Sequence, residues 1–457
     1  MSRLFTYYIS RALFYLFVYL AQVISDNSDT EHKYTAYYQQ QEYNGRKTVR
    51  RRPLAEVDYS LHCQYHSEYN PFHSGHLYQL TETRRALGED TLTVCVMSGD
   101  FVQRGEAAVF SKFARAEAAC CAGADLVLEL PLPWCLSSAE GFAEGAVSLL
   151  AAVGCTQLSF GSESGDVETL QTLAREILDP DTRREITTLL QCSPELSYAM
   201  ARERVLTKKL GECGTLLAQP NNILAVEYLK AIYKKTYPIT PVTVKRIGSG
   251  HDKAGEQGPK SASELRGLME TGADISEYIP EAALSVYRRE RAAGRVQDKA
   301  VLETALLSRL RMLDRAVYES LPDGGDGAGA RLWKAVREES TLEDIAQAAR
   351  TKRYPLARMR RMLLCAALGV SAEYTKLLPP YARVLAADAA GCAYLREIGG
   401  KSAVPVLTKP AAVRRMDGSA AKVFALGASA HDVYTLQNVT NSDKKCGQDW
   451  RNGPVIV

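Results

Sequence analysis

Residues 68–76 read Glu-Tyr-Asn-Pro-Phe-His-Ser-Gly-His, so that His73 and His76 flank Ser74 and Gly75 just ahead of a helix-forming stretch, residues 77–87. Two imidazoles on a turn that opens a helix suit an anion. The first N–H groups of a helix have no intrahelical partner and its dipole is positive there, so oxyanions gather at that end. Gly75 lets a ligand approach the backbone closely. The imidazoles of His73 and His76 can donate to the oxygens of a triphosphate, which makes these two the candidate catalytic residues.

A metal is the rival reading of the same residues. His62, His66, His73 and His76, with Cys63, include pairs spaced by three and four, but no segment supplies a matching downstream ligand set and Pro71 breaks any continuous helix. No metal site is assigned. The chain has 457 residues, 46% of them hydrophobic, and a formal charge of +3, as expected for a soluble globular protein of two or three domains. A chain so close to neutral binds nucleic acid only through a local patch. Eleven cysteines without a Cys-x-x-Cys pair read as reduced, mostly buried thiols in a cytoplasmic setting. Residues 12–24 follow Arg3 and Arg11 and resemble the apolar part of a signal peptide, but the run is short for a membrane span. Neither membrane association nor an oligomeric state is assigned.

The elements that must position the histidines alternate. After the helix at 77–87 come the apolar run 92–97 and a Ser98-Gly99-Asp100 turn, a helix near 111–122, the strand 125–130, a helix at 138–152 and the strand 157–160, ending at Gly161-Ser162-Glu163. Strand, helix, strand is the pattern of a Rossmann-like parallel sheet in an α/β fold, and ligands of such sheets gather at the carboxyl ends of the strands. Ser98-Gly99 and Gly161-Ser162 should therefore face the crevice of His73 and His76. Residues 167–237 read as helical, with Pro220-Asn221-Asn222 breaking two helices, before the strand 242–246 returns to the sheet. A glycine-rich loop, 248–258, precedes a helix opened by Ser261 as N-cap. From about Pro280 everything reads as helix, with a flexible break at 322–329 and no apolar period after Leu436.

Several strings lie in order at compatible spacings: residues 68–76, Val96-Met-Ser-Gly-Asp-Phe-Val-Gln-Arg-Gly-Glu106, Ala124-Asp-Leu-Val-Leu-Glu-Leu-Pro131, Phe160-Gly-Ser-Glu163, Pro220-Asn-Asn-Ile-Leu224 and Lys245-Arg-Ile-Gly248. Together they resemble the bacterial tRNA(Met) cytidine acetate ligases, a branch of the HxGH nucleotidyltransferases, from about Glu68 to Leu436. The resemblance implies joining of acetate to the N4 amine of the wobble cytidine of elongator tRNA(Met), with ATP giving AMP and pyrophosphate through an acetyl-adenylate. It implies Mg²⁺ carried by the nucleotide, because the chain offers no dedicated carboxylate cage. It places ATP contacts on His66, Ser67, Glu68, Tyr69, Asn70, Pro71, Phe72, His73, Ser74, Gly75, His76, Leu77, Tyr78 and Gln79, and on Gly161, Asn221 or Asn222, Arg246 and Ile247. Gly161 would admit a ribose or adenine against bare backbone, and an asparagine amide can read an adenine edge.

Other polar sets stand beside this one. Gln103-Arg104-Gly105-Glu106 and Lys112 read either as a solvated loop or as a holder of acetate, pyrophosphate or RNA backbone. Ser261-Ala-Ser-Glu-Leu-Arg266 resembles the second nucleotidyltransferase signature and is equally an ordinary helix cap. Arg350, Lys352, Arg353, Arg358, Arg360 and Arg361 lie within one stretch that holds a tyrosine and no acid, a pattern suited to a phosphate backbone and here assigned to tRNA. Arg288, Arg289, Arg291 and Arg295 form a second, weaker stripe diluted by Glu290.

The chain departs from the family just before Glu68, where a short apolar strand belongs and Gln64-Tyr65-His66-Ser67 stands instead. A parallel strand buried on both faces reads as continuous Val, Ile or Leu. Codons for Tyr-His-Ser read one base later can spell Ile-Ile-Ala, so residues upstream of Glu68 are expected to be out-of-frame translation, which sequencing the 5′ end of the gene tests. If they are in frame, the first strand should be impaired. The expected plan is a disordered or spurious extension (1–60), an ATP-binding nucleotidyltransferase-like domain (61–275), a helical tRNA-binding domain (276–436) and a disordered tail (437–457). Two rivals to the ligase reading are another HxGH adenylyltransferase acting on a small substrate and a tRNA-binding protein with impaired catalysis.

Overall fold

The computed structural model describes residues 61–64, 68–193, 195–246 and 260–457. The extension 1–60, with its signal-like segment, and His66, Ser67, Ile247 and the loop 248–258 lie outside the described residues.

Sheet β1 to β7 organises what is described. Its strands are β1 (Leu61–Gln64), β2 (Leu92–Ser98), β3 (Leu126–Leu130), β4 (Gln157–Ser162), β5 (Thr240–Lys245), β6 (Ala382–Ala387) and β7 (Val455–Ile456), and a short strand Val406–Leu407 pairs beside β6. Their spatial order is β7-β6-β3-β2-β1-β4-β5. Neighbours run parallel except β3 and β6, which are antiparallel. The chain thus winds outward through β2 and β3, then crosses to β4 on the far side of β1. That reversal makes the β1/β4 boundary the switch point, where the two flanking connections leave in opposite directions and open a crevice.

The pattern of β2 and β3 explains their central places. Every residue of both strands is buried, and an aliphatic side chain fully removed from water contributes about 1.5–3 kcal/mol. β1 is the surprise. Its backbone pairs with β2 through Leu61 to Cys63 and with β4 through His62 to Gln64, so the sequence as written does fill the central slot, four residues upstream of the expected place. Backbone pairing is indifferent to side chain, which is how an unpromising sequence can still extend.

Helix starts follow their caps. Ser111 caps Lys112–Cys121, Ser138 caps Ala139–Ala152 and Ser261 caps Ala262–Glu270, each accepting a backbone N–H of the first turn. Pro220-Asn221-Asn222 is not a break but the opening turn of Pro220–Lys235, where a proline's missing N–H costs nothing.

Beyond residue 276 the chain is largely helical, with two corrections to the expected plan. First, it returns β6 to the sheet: Ala-Arg-Val-Leu-Ala-Ala is too short and too alanine-rich to announce a strand, yet all six residues are buried. Second, residues 437–457 are not a disordered tail. They supply β7 and the wholly buried Asp449, held by charge pairing that no apolar period could reveal. The glycines at 324–329 are likewise packed, since a Cβ on Gly329 would lie 2.3 Å from the Tyr318 carbonyl oxygen. Nine described cysteines are free and Cys155 is disulfide-bonded, so the chain is not thiol throughout as its composition suggests. Among the described residues no helix is long and apolar enough to cross a membrane.

Candidate active site

The helix Ser74–Leu87 begins at the switch point, and His73 is its N-cap. The His73 backbone is extended, and its Nδ1 accepts from the Gly75 N–H at 3.0 Å. Reciprocally, the His73 N–H donates to Nδ1 of His76 at 3.2 Å. This is a capping box built from two imidazoles. It also fixes their chemistry, for a ring nitrogen that accepts an N–H carries no proton, so both rings hold theirs on Nε2. The rings pack at 3.9 Å between centroids, and Tyr69 and Phe72 lie against His76 at 5.0 and 5.5 Å.

Burial and then the Arg246 guanidinium lower the pKa of His73 to about 4. Burial, His73 and Arg246 push His76 well below its ordinary value. Both are therefore neutral near pH 7. The sequence suggested cations for a triphosphate; the structure provides two neutral N–H donors, with Arg246 as the fixed charge.

These groups line a cavity of about 240 Å³ bounded by His73, Ser74, Gly75, His76, Tyr78, Gln79, Gly161, Val244 and Arg246. Gly161, in β4, leaves the opening: a Cβ there would stand 3.1 Å from Oε1 of Gln79 and 3.3 Å from Cγ of Arg246. Gln79 Nε2 and Arg246 Nε have no hydrogen-bond partner among the described residues. Buried donors left unpaired are costly, and these two face the space where a ligand would satisfy them. Val244 was not foreseen; it comes from a strand whose far end alone had been singled out.

The rest of the expected nucleotide set shapes the loop rather than the cavity. Tyr69 donates to Cys95 Sγ at 3.2 Å, Asn70 Oδ1 accepts from the Val109 N–H at 2.8 Å, and Leu77 packs on the core beside Phe72. Pro71 is buried in the same turn. The Phe72 N–H donates to the Tyr287 hydroxyl at 2.9 Å, Ser74 Oγ donates to the Tyr278 carbonyl at 2.8 Å, and Arg266 donates to the Asn70 carbonyl at 3.0 Å. The segment around 262–292 thus clamps the signature turn from outside, a role carried by two tyrosines that nothing in their local sequence marks.

Asn221 and Asn222 are outside the cavity lining. Asn222 is fully buried, accepting from the Glu163 and Ser164 N–H groups at 3.0 and 3.2 Å and donating to the Leu216 carbonyl and Gln219 Oε1. Glu163 in return accepts from the N–H groups of Asn221 and Asn222 at 3.2 and 2.8 Å, and from Asn221 Nδ2 at 2.7 Å. The pair fixes the loop that follows β4, and so places Gly161.

Lys112, one candidate for holding an anion, is wholly buried and already neutralised by Glu129 at 2.9 Å and Asp449 at 2.6 Å. The loop 103–106 is not free either. Gly105 sits so close to Arg360 that a Cβ would approach its side chain to 2.6 Å, and Glu106 takes Arg266 at 3.2 Å and Arg360 at 3.5 Å. In the basic run, Arg353 pairs with Asp326 at 2.8 Å and Arg360 with Glu343 at 2.7 Å, while Arg358 and Arg361 donate to the carbonyls of Asp323 and Gln103. Arg350 and Lys352 are exposed and join no ion pair among the described residues. Among the second stripe, Arg289 pairs with Glu117 and Glu290, and Arg295 with Glu290 and Asp443.

A doubly wound sheet with a histidine-capped helix at its switch point defines a nucleotidyltransferase of the HxGH type. A family model described as HIGH Nucleotidyl Transferase matches residues 66–449, and the chain belongs to that family. It is similar along nearly its whole described length to proteins named tRNA(Met) cytidine acetate ligase. That of Syntrophomonas wolfei is 34% identical over 407 residues, 85% of this chain and 98% of that protein. That of Acetivibrio thermocellus is 33% identical over 413 residues, with the same coverage. Crystal structures of Thermotoga maritima TmcAL superpose with TM-scores of 0.81 for the apo form, at 30% identity, and 0.80 for the form bound with alpha-thio ATP, at 29%; each covers 87% of this chain and 99% of the other.

Proposed function

We propose that this chain is a tRNA(Met) cytidine acetate ligase, making N4-acetylcytidine at the wobble position of elongator tRNA(Met) from acetate and ATP, with an acetyl-adenylate between. The observation that carries the reading is the likeness to the TmcAL structure bound with alpha-thio ATP, which spans 99% of that chain, together with a cavity whose unpaired donors suit a nucleotide. In the first step a carboxylate oxygen of acetate attacks the α-phosphorus and the bond to pyrophosphate breaks. Charge then grows on phosphoryl oxygens, where Nε2–H of His73 and His76, Arg246 and the positive end of the helix stabilise it without reorganising. In the second step the cytidine N4 attacks the acetyl carbon and AMP leaves with the bonding pair.

The ribose or adenine passes over Gly161, and the exposed Arg350 and Lys352 hold the RNA backbone. The cavity lining offers no carboxylate, and no cluster of three or more His, Cys, Asp or Glu suited to a metal occurs among the described residues. A magnesium ion would accordingly enter on the triphosphate oxygens, as part of the substrate. The test is incubation of the purified chain with labelled acetate, ATP and elongator tRNA(Met). Label in the tRNA only when all three are present is the expected result; ATP consumed with another small acceptor, and no label in RNA, would replace the reading with a different adenylyltransferase.

A further inference from the structure

Resting on that reading, we propose that Glu68 is the proton acceptor of the acetyl-transfer step, taking the proton that the cytidine N4 loses as it joins the acyl carbon. The step demands a base. An exocyclic amine whose lone pair is drawn into the ring is a poor nucleophile, and attack on an acyl carbon is assisted by removal of its proton in the transition state. Adenylation by acetate moves no proton, so such a base serves the second step alone.

The obvious bases are already engaged. Each histidine of the signature has its one basic nitrogen, Nδ1, bonded to a backbone N–H, which leaves Nε2–H to donate and nothing to accept. Glu163 takes the amides of Asn221 and Asn222. Asp100 is bonded to His431 at 2.8 Å and to the Lys112 N–H at 2.9 Å, and Glu129 and Asp449 share Lys112 and Arg383. Glu106 takes Arg266 and Arg360.

Glu68 differs from all of these. It opens the signature turn on the carboxyl side of β1 and stays partly exposed, and its main-chain carbonyl is fixed by Arg115 Nη1 at 2.6 Å. Among the described residues no ion pair reaches its carboxylate. Its surroundings are the Gln103 N–H, Arg104 and Glu106 on the loop after β2, Arg266 on Ala262–Glu270, and the buried Cys135 thiol. Burial raises its pKa despite Arg104 and Arg266, which moves a carboxylate toward the strength a base needs near neutral pH. The two guanidiniums give the acetyl-adenylate's negative phosphate a reason to lie on this side. Atoms balance simply: the N4–carbonyl bond forms, the carbonyl–phosphate bond breaks with its electrons leaving on AMP, and the N4 proton passes to Glu68 and then to solvent.

The experiment separates the half-reactions in the full chain. Acetate-dependent exchange of pyrophosphate into ATP reports adenylation, and single-turnover transfer of labelled acetyl to elongator tRNA(Met) reports the second step. Glu68→Gln should leave exchange within about threefold of wild type while transfer falls by about 10²–10⁴, the usual worth of a general base. Glu68→Asp should recover part of the loss, and the rise of the wild-type transfer rate with pH should vanish in Glu68→Gln. If wild type transfers acetyl and Glu68→Gln transfers equally well, or if exchange and transfer fall together in a variant that melts like wild type, the assignment to Glu68 is wrong and the functional reading survives. If wild type itself places no acetyl on the tRNA, the functional reading fails and this role goes with it.

Discussion

The Lys112 ammonium lies 2.6 Å from the Asp449 carboxylate, although the two are 337 positions apart, and neither is exposed by more than 1%. Arg383 joins Asp449 at 2.7 Å and Glu129 at 3.2 Å, and His431 joins Asp100 at 2.8 Å. Three acids thus face two permanent cations and one histidine, all out of water. Attraction to Lys112 and Arg383 overcomes burial and holds the Asp449 carboxyl well below the usual range.

Asp449→Ala leaves Lys112 and Arg383 buried with Glu129 alone to offset them. Removing one partner of a buried pair costs about 3–5 kcal/mol, so the urea midpoint should drop by that equivalent with an unchanged slope. A loss under 1 kcal/mol, the size typical of exposed pairs, would show that the cluster is open to solvent. Because Asp100 ends the turn after β2 and a Cβ on Gly99 would come within 2.8 Å of Glu129 Oε1, the same variant should also slow catalysis.

Two histidine populations predict opposite pH effects on stability. His73, with a pKa of about 4, stays neutral when the unfolded chain, near 6.5, takes up a proton. Stability from this site is present above 6.5 and lost as pH falls toward 4. His431 has the reverse sign: burial opposes its charge, but Asp100 and Asp449 prevail and its pKa is raised, so its contribution is present below 6.5 and lost as pH rises through the raised value. Melting temperature against pH should therefore bend at both ends. His73→Asn, which keeps a capping acceptor, should flatten the acid arm, and His431→Gln the alkaline arm; unchanged arms in these variants would refute the assignment.

How much of this could be read from the residues divides by range. The signature turn, the order of the first five strands and the serine caps are local, and each was legible because cap, turn and apolar run act within a few positions. Gly161 and Arg246 were legible only through the resemblance. What stayed hidden depends on contacts between distant segments: Tyr287 bonding Phe72, Glu163 engaging Asn221 and Asn222, and Asp449 drawing residues 437–457 into the core. The basic run shows the converse. Read as one charged surface, it resolves into paired arginines that join the helix Leu356–Leu368 to neighbouring loops and two exposed residues with no ion pair among the described residues.

Gly161→Ala tests the nucleotide site with little risk to the fold, since its backbone lies outside the left-handed region. The added methyl would crowd Gln79 Oε1 and Arg246 Cγ, at 3.1 and 3.3 Å. One misplaced methylene in a fitted pocket is worth about 10-fold or more in specificity. The KM for ATP should rise by about that factor, with the melting temperature unchanged and the KM for tRNA unaffected. A KM for ATP equal to wild type would place the nucleotide elsewhere.

The exposed and the paired members of the basic run should separate in a salt titration of tRNA binding. Each phosphate neutralised contributes roughly one to the slope of log affinity against log salt, because a condensed counterion is released. Arg350→Ala and Lys352→Ala should each weaken binding and lower that slope by about one, leaving thermal stability within about 0.5 kcal/mol, as for other surface changes. Arg360→Ala breaks its contacts with Glu343 and Glu106, and should instead reduce stability while changing the slope little. Were Arg360→Ala to lower the slope as much as Lys352→Ala at full stability, its carboxylate partners would have to yield to phosphate on binding, and the RNA path would run over the 103–106 loop toward Glu68.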